Sequence, residues 1–359
     1  MHGVKKVCGL VRPGILALQP YQADCVICGS KLDANENGWD VPAAVKEELF
    51  ARLRKLALNR YPDAAWSALR KALARQQEAH PLQFLIGNGS SELIMALMQT
   101  FTGPGVRVVY PSPSFVMYPV YAAIAGAVPV KVTLDEDFHL DPEKVIAESD
   151  KPHTGLVMLC TPNNPTGNAM SLVDIERIVA NSPCVVAVDE AYYEFHGETA
   201  QSLVAKYANV VILRTFSKAY GLAGARVGYL FGQEEVVRHI AKVILPYNLN
   251  ALSMTMAELA LDRPEFFQPR IQAIIEERTR IATALQAIPA LTVYPSQANF
   301  LLVKTPVPGA TVARQLQLAG IGVRDFGGEL ADTIRVSIGA PGENDAFLRG
   351  LRSILSEVG

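Results

Sequence analysis

The sequence predicts an α/β protein, with a mostly parallel seven-stranded sheet, flanking helices and a smaller α+β domain after it. Three observations predict this. Between residues 84 and 231 lie seven short apolar runs: FLIG (84–87), VRVVY (106–110), PVKVTL (129–134), GLVMLC (155–160), CVVAVD (184–189), VVILRT (210–215) and RVGYLF (226–231). They are rich in β-branched residues and apolar at successive positions, as strands buried on both faces are. Helical stretches such as SSELIMALMQTF and LVDIERIVAN separate several of them, the alternation that covers both faces of a parallel sheet with helices. After about residue 250 the alternation stops, and a long helical stretch leads to short strands.

In chain order, residues 1–40 hold Pro, Gly and polar residues without a period and read as an arm packing with the smaller domain. Asp40 is the candidate N-cap of the first helix, with Pro42 in its first turn. Val45, Leu49, Leu53 and Leu56 share one face of that helix, and a second amphipathic helix carries Trp66, Leu69 and Leu73. The large domain spans 41–250 and the small one 251–359. In the small domain, PEFFQPRIQAIIEERTRIATALQAI precedes three short strands, ANFLLV, GIGVRD and TIRVSIG. The terminal helix ENDAFLRGLRSILSEV sets Phe347, Leu351, Ile354 and Leu355 on one face.

Composition narrows the function. At 359 residues the chain exceeds one ordinary core. A net charge of −2 with no Lys/Arg-rich segment argues against nucleic acid. The longest apolar runs fall short of the roughly 20 residues a membrane helix needs. The N-terminal MHGVKKVCGLVRPG lacks an apolar signal core, so a cytoplasmic protein is expected. Five cysteines, an odd count in a long chain, argue for a reducing compartment. Cys25 and Cys28 form a CxxC, but with no second CxxC or nearby His pair they read as ordinary thiols. The six histidines are scattered, and no metal site is expected.

In an open α/β sheet, ligands bind at the carboxyl ends of the strands, and the unusual residues fall there. FLIGNGSSELIMAL (84–97) is strand, Gly-rich turn and helix. Gly87, Gly89, Ser90 and Ser91 fit either a phosphate cradle or a simple Ser N-cap. It lacks the GK[ST] of a Walker A loop, and Glu92 replaces the last glycine of GxGxxG, which argues against a nicotinamide-dependent dehydrogenase. CTPNNPTG (160–167) is a rigid turn whose Asn164 either aims into the cleft or only shapes the loop. CVVAVDEAYYEF (184–195) ends a strand in Asp189 and Glu190, acids that must be paired or hydrogen-bonded where buried. Lys218, in RTFSKAYGLAGARVGYL (214–230), is either a surface loop lysine or a desolvated amine whose lowered pKa makes it nucleophile and base. A phosphate turn, an Asn turn, a strand-end Asp and a loop Lys arrive in order, and pyridoxal 5′-phosphate uses all four.

NNPTG (163–167), DEAY (189–192) and TFSKAYGLAGARVGY (215–229) resemble the signatures of the fold-type I pyridoxal-phosphate-dependent aminotransferases. Together with LQPY (18–21), KLDANEN (31–37), RYPD (60–63), GNGSSELI (87–94), VRD (323–325) and TIRVSIG (333–339), the chain is similar to the histidinol-phosphate aminotransferase subfamily from about residue 15 onward. The resemblance implies these roles. Lys218 forms the Schiff base with the cofactor and moves the proton. Asp189 pairs with the pyridinium nitrogen, and Asn164 and Tyr192 hydrogen-bond the phenolic oxygen. Gly89, Ser90, Ser91, Thr215, Ser217 and Arg226 hold the phosphate, and Phe115 stacks on the ring. Tyr61 reaches the phosphate of the other subunit's cofactor, which implies a homodimer with shared sites. Arg335 binds the substrate carboxylate, and Tyr21 and Arg324 hold the distal group beside Asn164. The implied reaction is ping-pong transamination of histidinol phosphate with 2-oxoglutarate, in histidine biosynthesis. Aromatic-amino-acid aminotransferases and a threonine-phosphate decarboxylase share much of the pattern. The sequence departs from it at Ser91, often Asp, at Phe115, often Tyr, and in ANENGWD, often ANENP.

Overall fold

The computed structural model describes residues 9–20 and 28–358. The arm contributes one short strand, β1 (Ser30–Lys31). The seven apolar runs become β2 (Phe84–Asn88), β3 (Arg107–Ser112), β4 (Val128–Thr133), β5 (Thr154–Cys160), β6 (Val185–Asp189), β7 (Val210–Thr215) and β8 (Val227–Gly232). They form one sheet in the order β2-β8-β7-β6-β5-β3-β4. The neighbours β4 and β3, β3 and β5, β5 and β6, and β6 and β7 pair in parallel, and β8 alone runs antiparallel to both of its neighbours. Every residue of β7 and β8 is buried, as continuous apolar runs between helix layers require. Full burial of each Val, Leu or Ile side chain contributes about 1.5–3 kcal/mol, so these central strands anchor the large unit.

Parallel registry decides where chemistry collects. Cys160 of β5 lies opposite Asp189 of β6, and Asp189 lies opposite Leu213 of β7. The turns after all three strands therefore emerge at one edge. Because β8 is antiparallel, it begins at that same edge, with Thr215 opposite Gly228 and Asn88 opposite Val227.

The smaller unit holds β9 (Thr292–Val293), β10 (Phe300–Lys304), β11 (Ile321–Gly322), β12 (Arg324–Asp325) and β13 (Thr333–Ser337). β12, β13, β10 and β9 form an antiparallel sheet in that order. The run GIGVRD is thus two strands rather than one. β11 pairs in parallel with β1 of the arm, Ser30 opposite Ile321, while β12 pairs with β13 and sets Arg324 opposite Arg335. Farther back, Arg12 donates to the carbonyl of Ile124 at 2.9 Å, against the helix Met117–Ala125 of the large unit.

Several expectations change. The first expected helix is Ala43–Leu53 with Pro42, not Asp40, at the cap, and a short helix, Pro13–Leu16, precedes it in the arm. Asp40 spends its carboxylate on the adjacent Val41 N–H and on Lys46. Trp66 precedes its helix, Ser67–Gln76, in a left-handed conformation, but it is buried with Leu69 and Leu73. Leu56 lies past the end of Ala43–Leu53, while Val45 and Leu49 fill the core. The helix Ala251–Asp262 packs against Ala43–Leu53 and Ser67–Gln76, on the large unit's side of the expected boundary. Phe347, Leu351 and Ile354 of the terminal helix are buried together, as the pattern requires.

Candidate active site

The helix Ser90–Phe101 begins at the carboxyl end of β2, and its cap is Gly89 at φ 77°. Only glycine takes that backbone without strain, and a Cβ there would overlap the guanidinium of Arg226. Gly228 on β8 has a different reason to be small, since a Cβ there would overlap the backbone nitrogen of Ser90. β8 and the turn therefore approach closely. Glu92 accepts from the Asn88 N–H at 2.6 Å and from Asn248 Nδ2 at 2.7 Å, which secures the turn from outside.

The β7–β8 connection folds back over the same place. Thr215 Oγ1 lies 3.0 Å from Ser217 Oγ and accepts from the Ser217 N–H at 3.1 Å. Arg226, held at φ 55°, donates through Nη1 to Ser217 Oγ at 3.3 Å and to the Ala223 carbonyl at 3.2 Å. Ser90, Ser91, Thr215, Ser217 and Arg226 thus surround one helix start. Hydroxyls, exposed helix N–H groups and a guanidinium are the donor chemistry of a phosphate dianion. The Gly89 cradle that a Cβ would fill also fits such a group.

Lys218 follows in the loop. Its Nζ donates to the carbonyl of Ala34 at 2.8 Å and stands 6.0 Å from the centre of the Tyr192 ring. Burial, and then the cations Arg335 and Arg226 against the opposing Glu36, bring its pKa down to about 7. A neutral amine is therefore well populated near neutral pH.

Asp189 is 4% exposed. Its Oδ2 accepts from Tyr118 Oη at 2.8 Å, and its Oδ1 from the Ala191 N–H at 3.2 Å. Burial raises its pKa to about 6, against the lowering effect of Tyr118. A buried carboxylate at a strand end, short of a cation, is a ready partner for a protonated ring nitrogen. Glu190 turns the other way, into a buried pair with Arg214 at 2.9 Å.

Asn164 and Tyr192 also meet. Asn164 Nδ2 donates to Tyr192 Oη at 3.2 Å, and its Oδ1 accepts from Arg335 Nη1 at 2.6 Å. Tyr192 is buried, and that burial pushes its phenol up to about 12. Arg335 Nη2 donates to the carbonyl of Asp33 at 2.5 Å. Phe115, half-buried, stands edge-on to Tyr118 at 5.4 Å between ring centres. Tyr61 lies elsewhere, 79% exposed and stacked on Tyr247 at 4.3 Å. Tyr21 and Cys25 lie outside the described residues. Among the described residues no group of His, Cys, Asp and Glu is arranged to hold a metal ion, and no helix is long and apolar enough to cross a membrane.

Two participants were missed from sequence. Tyr118 satisfies Asp189 from a helix two strands away; the trace of it was the need of a buried acid for a donor. Asn35 donates to Tyr192 Oη at 3.0 Å. It lies in KLDANEN, where sequence reasoning assigned no side-chain role.

A lysine, an acid, a phenol and a phosphate-type turn on one α/β edge define a class of group-transfer enzyme. The model of the family described as aminotransferase class I and II matches residues 29–354, and the chain belongs to that family. Within it, the chain is 39% identical to the histidinol-phosphate aminotransferase of Thermoanaerobacter sp. (strain X514), over 96% of this chain and 99% of the relative. It is also 39% identical to that of Pyrococcus furiosus, over 96% and 97%. The structure of the histidinol-phosphate aminotransferase from Sinorhizobium meliloti in complex with pyridoxal-5′-phosphate superposes with a TM-score of 0.88 at 24% identity, covering 97% of this chain and 98% of that one. That likeness shows the fold.

Proposed function

We propose that this chain is a pyridoxal-phosphate-dependent aminotransferase that exchanges the amino group between histidinol phosphate and 2-oxoglutarate, acting as a homodimer in the cytoplasm. The observation that carries the reading is the convergence of Lys218, Asp189, Tyr192, Asn164 and the Gly89–Arg226 turn on one sheet edge. The names of the relatives at 39% identity over nearly the whole chain support the substrate.

In this reading Gly89, Ser90, Ser91, Thr215, Ser217 and Arg226 hold the cofactor phosphate. Phe115 packs on the ring, Asp189 meets its nitrogen, and Asn164 and Tyr192 meet its phenolic oxygen. Lys218 supplies the amine for covalent attachment. When bound, the cofactor supplies an electron sink conjugated to the substrate carbon. The chain does the rest. Asp189, an anion above about pH 6, keeps a proton on the ring nitrogen. Lys218, neutral above about pH 7, takes a proton from the substrate carbon and returns it on the other side of the transfer. Arg335 orients the substrate, since a planar guanidinium can fork a carboxylate as lysine cannot. Arg324, opposite it on β12, adds a second cation for a phosphate or a distal carboxylate, with Tyr21 from the arm. Tyr61 crosses to the phosphate site of the second subunit. The arm covers residues 1–40 and the small unit the C-terminal part, with the helix Ala251–Asp262 counted in the large unit for its packing.

Steady-state rates with histidinol phosphate, phenylalanine and tyrosine, each with 2-oxoglutarate, test the substrate. Turnover should be greatest with histidinol phosphate. Turnover confined to the aromatic amino acids would replace this substrate with those.

A further inference from the structure

We propose that Asn35 is a positioning residue for Tyr192. With Asn164 it occupies both acceptor sites of the phenol oxygen, and so fixes the phenol O–H as a donor aimed away from the two amides.

Asn35 is 1% exposed and sits at φ 53°, a conformation that asparagine tolerates better than most residues. Every polar group it has is engaged. Its N–H donates to Ser337 Oγ at 2.8 Å, and Ser337 Oγ donates back to its Oδ1 at 3.2 Å. Its carbonyl accepts from Asn299 Nδ2 at 3.1 Å. With Oδ1 taken by Ser337, the amide nitrogen is the end that faces Tyr192, 3.0 Å away. Asn164 is locked in the same sense. Its Oδ1 is taken by Arg335, so its Nδ2 faces Tyr192 from the other side at 3.2 Å.

Arg335 and Ser337 stand two apart on β13 and so share one face. One strand therefore sets both amides. A phenol oxygen has two acceptor sites and one proton. Two amide donors fill the acceptor sites, and the proton must point elsewhere. Two donors to the oxygen also favour the phenolate over the phenol. The other groups facing Tyr192 are Arg335 from β13, which favours the anion, and Lys218 from the β7–β8 loop, whose amine stands 6.0 Å from the ring centre and is uncharged where the phenol titrates. Asp189 on its own segment and Cys160 on β5 disfavour it, and Phe300 on β10 is an apolar wall 5.2 Å away between ring centres. Asn35 is thus the contribution of the arm to the proton affinity of a group on the large sheet.

The consequence for catalysis rests on the reading that Tyr192 meets the cofactor, but the hydrogen-bond pattern does not. The test is therefore made first on the cofactor-free full chain. A difluorotyrosine, more acidic than tyrosine, is incorporated at position 192 and titrated by fluorine NMR. Asn35→Asp keeps the size, the left-handed tolerance and an oxygen for Ser337, but turns the donor into an acceptor that carries a charge, so Asn35→Ala, which removes the donor without adding a charge, is the deciding variant. It should raise the proton affinity of the phenol about tenfold, the scale of one hydrogen bond to a charged oxygen. Asn35→Asp should shift it in the same direction, and Ser337→Ala, which loosens the mount but keeps the donor, should shift it less. An unchanged midpoint in a folded Asn35→Ala protein would overturn the proposal, because a residue that merely ties the arm down would leave the phenol alone. In the cofactor-loaded enzyme the pH midpoint of the visible absorbance should move as well. A moved phenol with an unmoved absorbance midpoint would uphold Asn35 as the positioning residue and remove Tyr192 from the cofactor.

Discussion

Lys218 and Asp189 carry opposite consequences of burial. The Lys218 pKa falls to about 7, so between about pH 7 and its unfolded value near 10.4 the unfolded chain binds the extra proton, and this residue makes stability rise with pH there. A mild amine-selective reagent should accordingly label Lys218 in the cofactor-free protein with a half-maximal rate near pH 7, read by peptide mass spectrometry. Asp189 is the converse. Its pKa rises from 3.8 to about 6, so the folded state holds the proton longer, and stability falls as pH climbs through that window. Asp189→Asn should stabilise the cofactor-free protein at pH 7 by roughly 3 kcal/mol and flatten its melting profile between pH 4 and 6. It should also lower turnover strongly, because the neutral amide cannot hold a proton on a ring nitrogen. A melting temperature that fell instead would show that the carboxylate is held by more than Tyr118 and a backbone N–H. Both residues were legible in sequence as polar groups at the ends of apolar runs. Tyr118 and Asn35 were not, because each reaches its partner from a separate element and leaves no local mark.

At the scale of elements, the close approach of β8 to the start of the helix Ser90–Phe101 shapes the proposed phosphate turn. Gly228→Ala would press a methyl on the Ser90 backbone, and a cost of about 1–3 kcal/mol is expected, the range for overpacking. The accompanying loss of cofactor affinity should appear in a fluorescence titration with pyridoxal phosphate. Behind the site, Arg214 and Glu190 form a pair only 3% and 1% exposed, with the Arg214 guanidinium 3.7 Å from the Tyr193 ring centre. Thr199 Oγ1 and the Ala200 N–H satisfy the rest of the carboxylate. Arg214→Met strands a buried anion and should cost roughly 3–5 kcal/mol in urea unfolding. Element types were legible because periodicity is local: all seven apolar runs are strands. The antiparallel course of β8 and the split of GIGVRD between two sheets were not, since pairing direction is settled by which neighbours lie alongside.

At the scale of the molecule, the arm joins the two units. Consecutive residues Asp33, Ala34 and Asn35 reach Arg335, Lys218 and Tyr192 in turn. Tyr61, stacked on Tyr247, is 79% exposed, and in the proposed function it lies against a second subunit. Sedimentation should find a dimer. Mixing Lys218→Ala with Tyr61→Ala subunits should restore turnover that neither variant has alone, since each mixed dimer keeps one site with both residues intact. Failure to restore it would confine Tyr61 to its own subunit. The sequence by itself determined the strand and helix content, the motif residues at the strand ends and the family they resemble, because those follow from side-chain chemistry within a few neighbouring positions. Only the tertiary structure decided that Tyr118 serves Asp189, that Asn35 serves Tyr192 and that the arm lies against Lys218. Such contacts join residues tens to hundreds of positions apart, and they exist only once the sheet registry and the packing of the two units have brought them together.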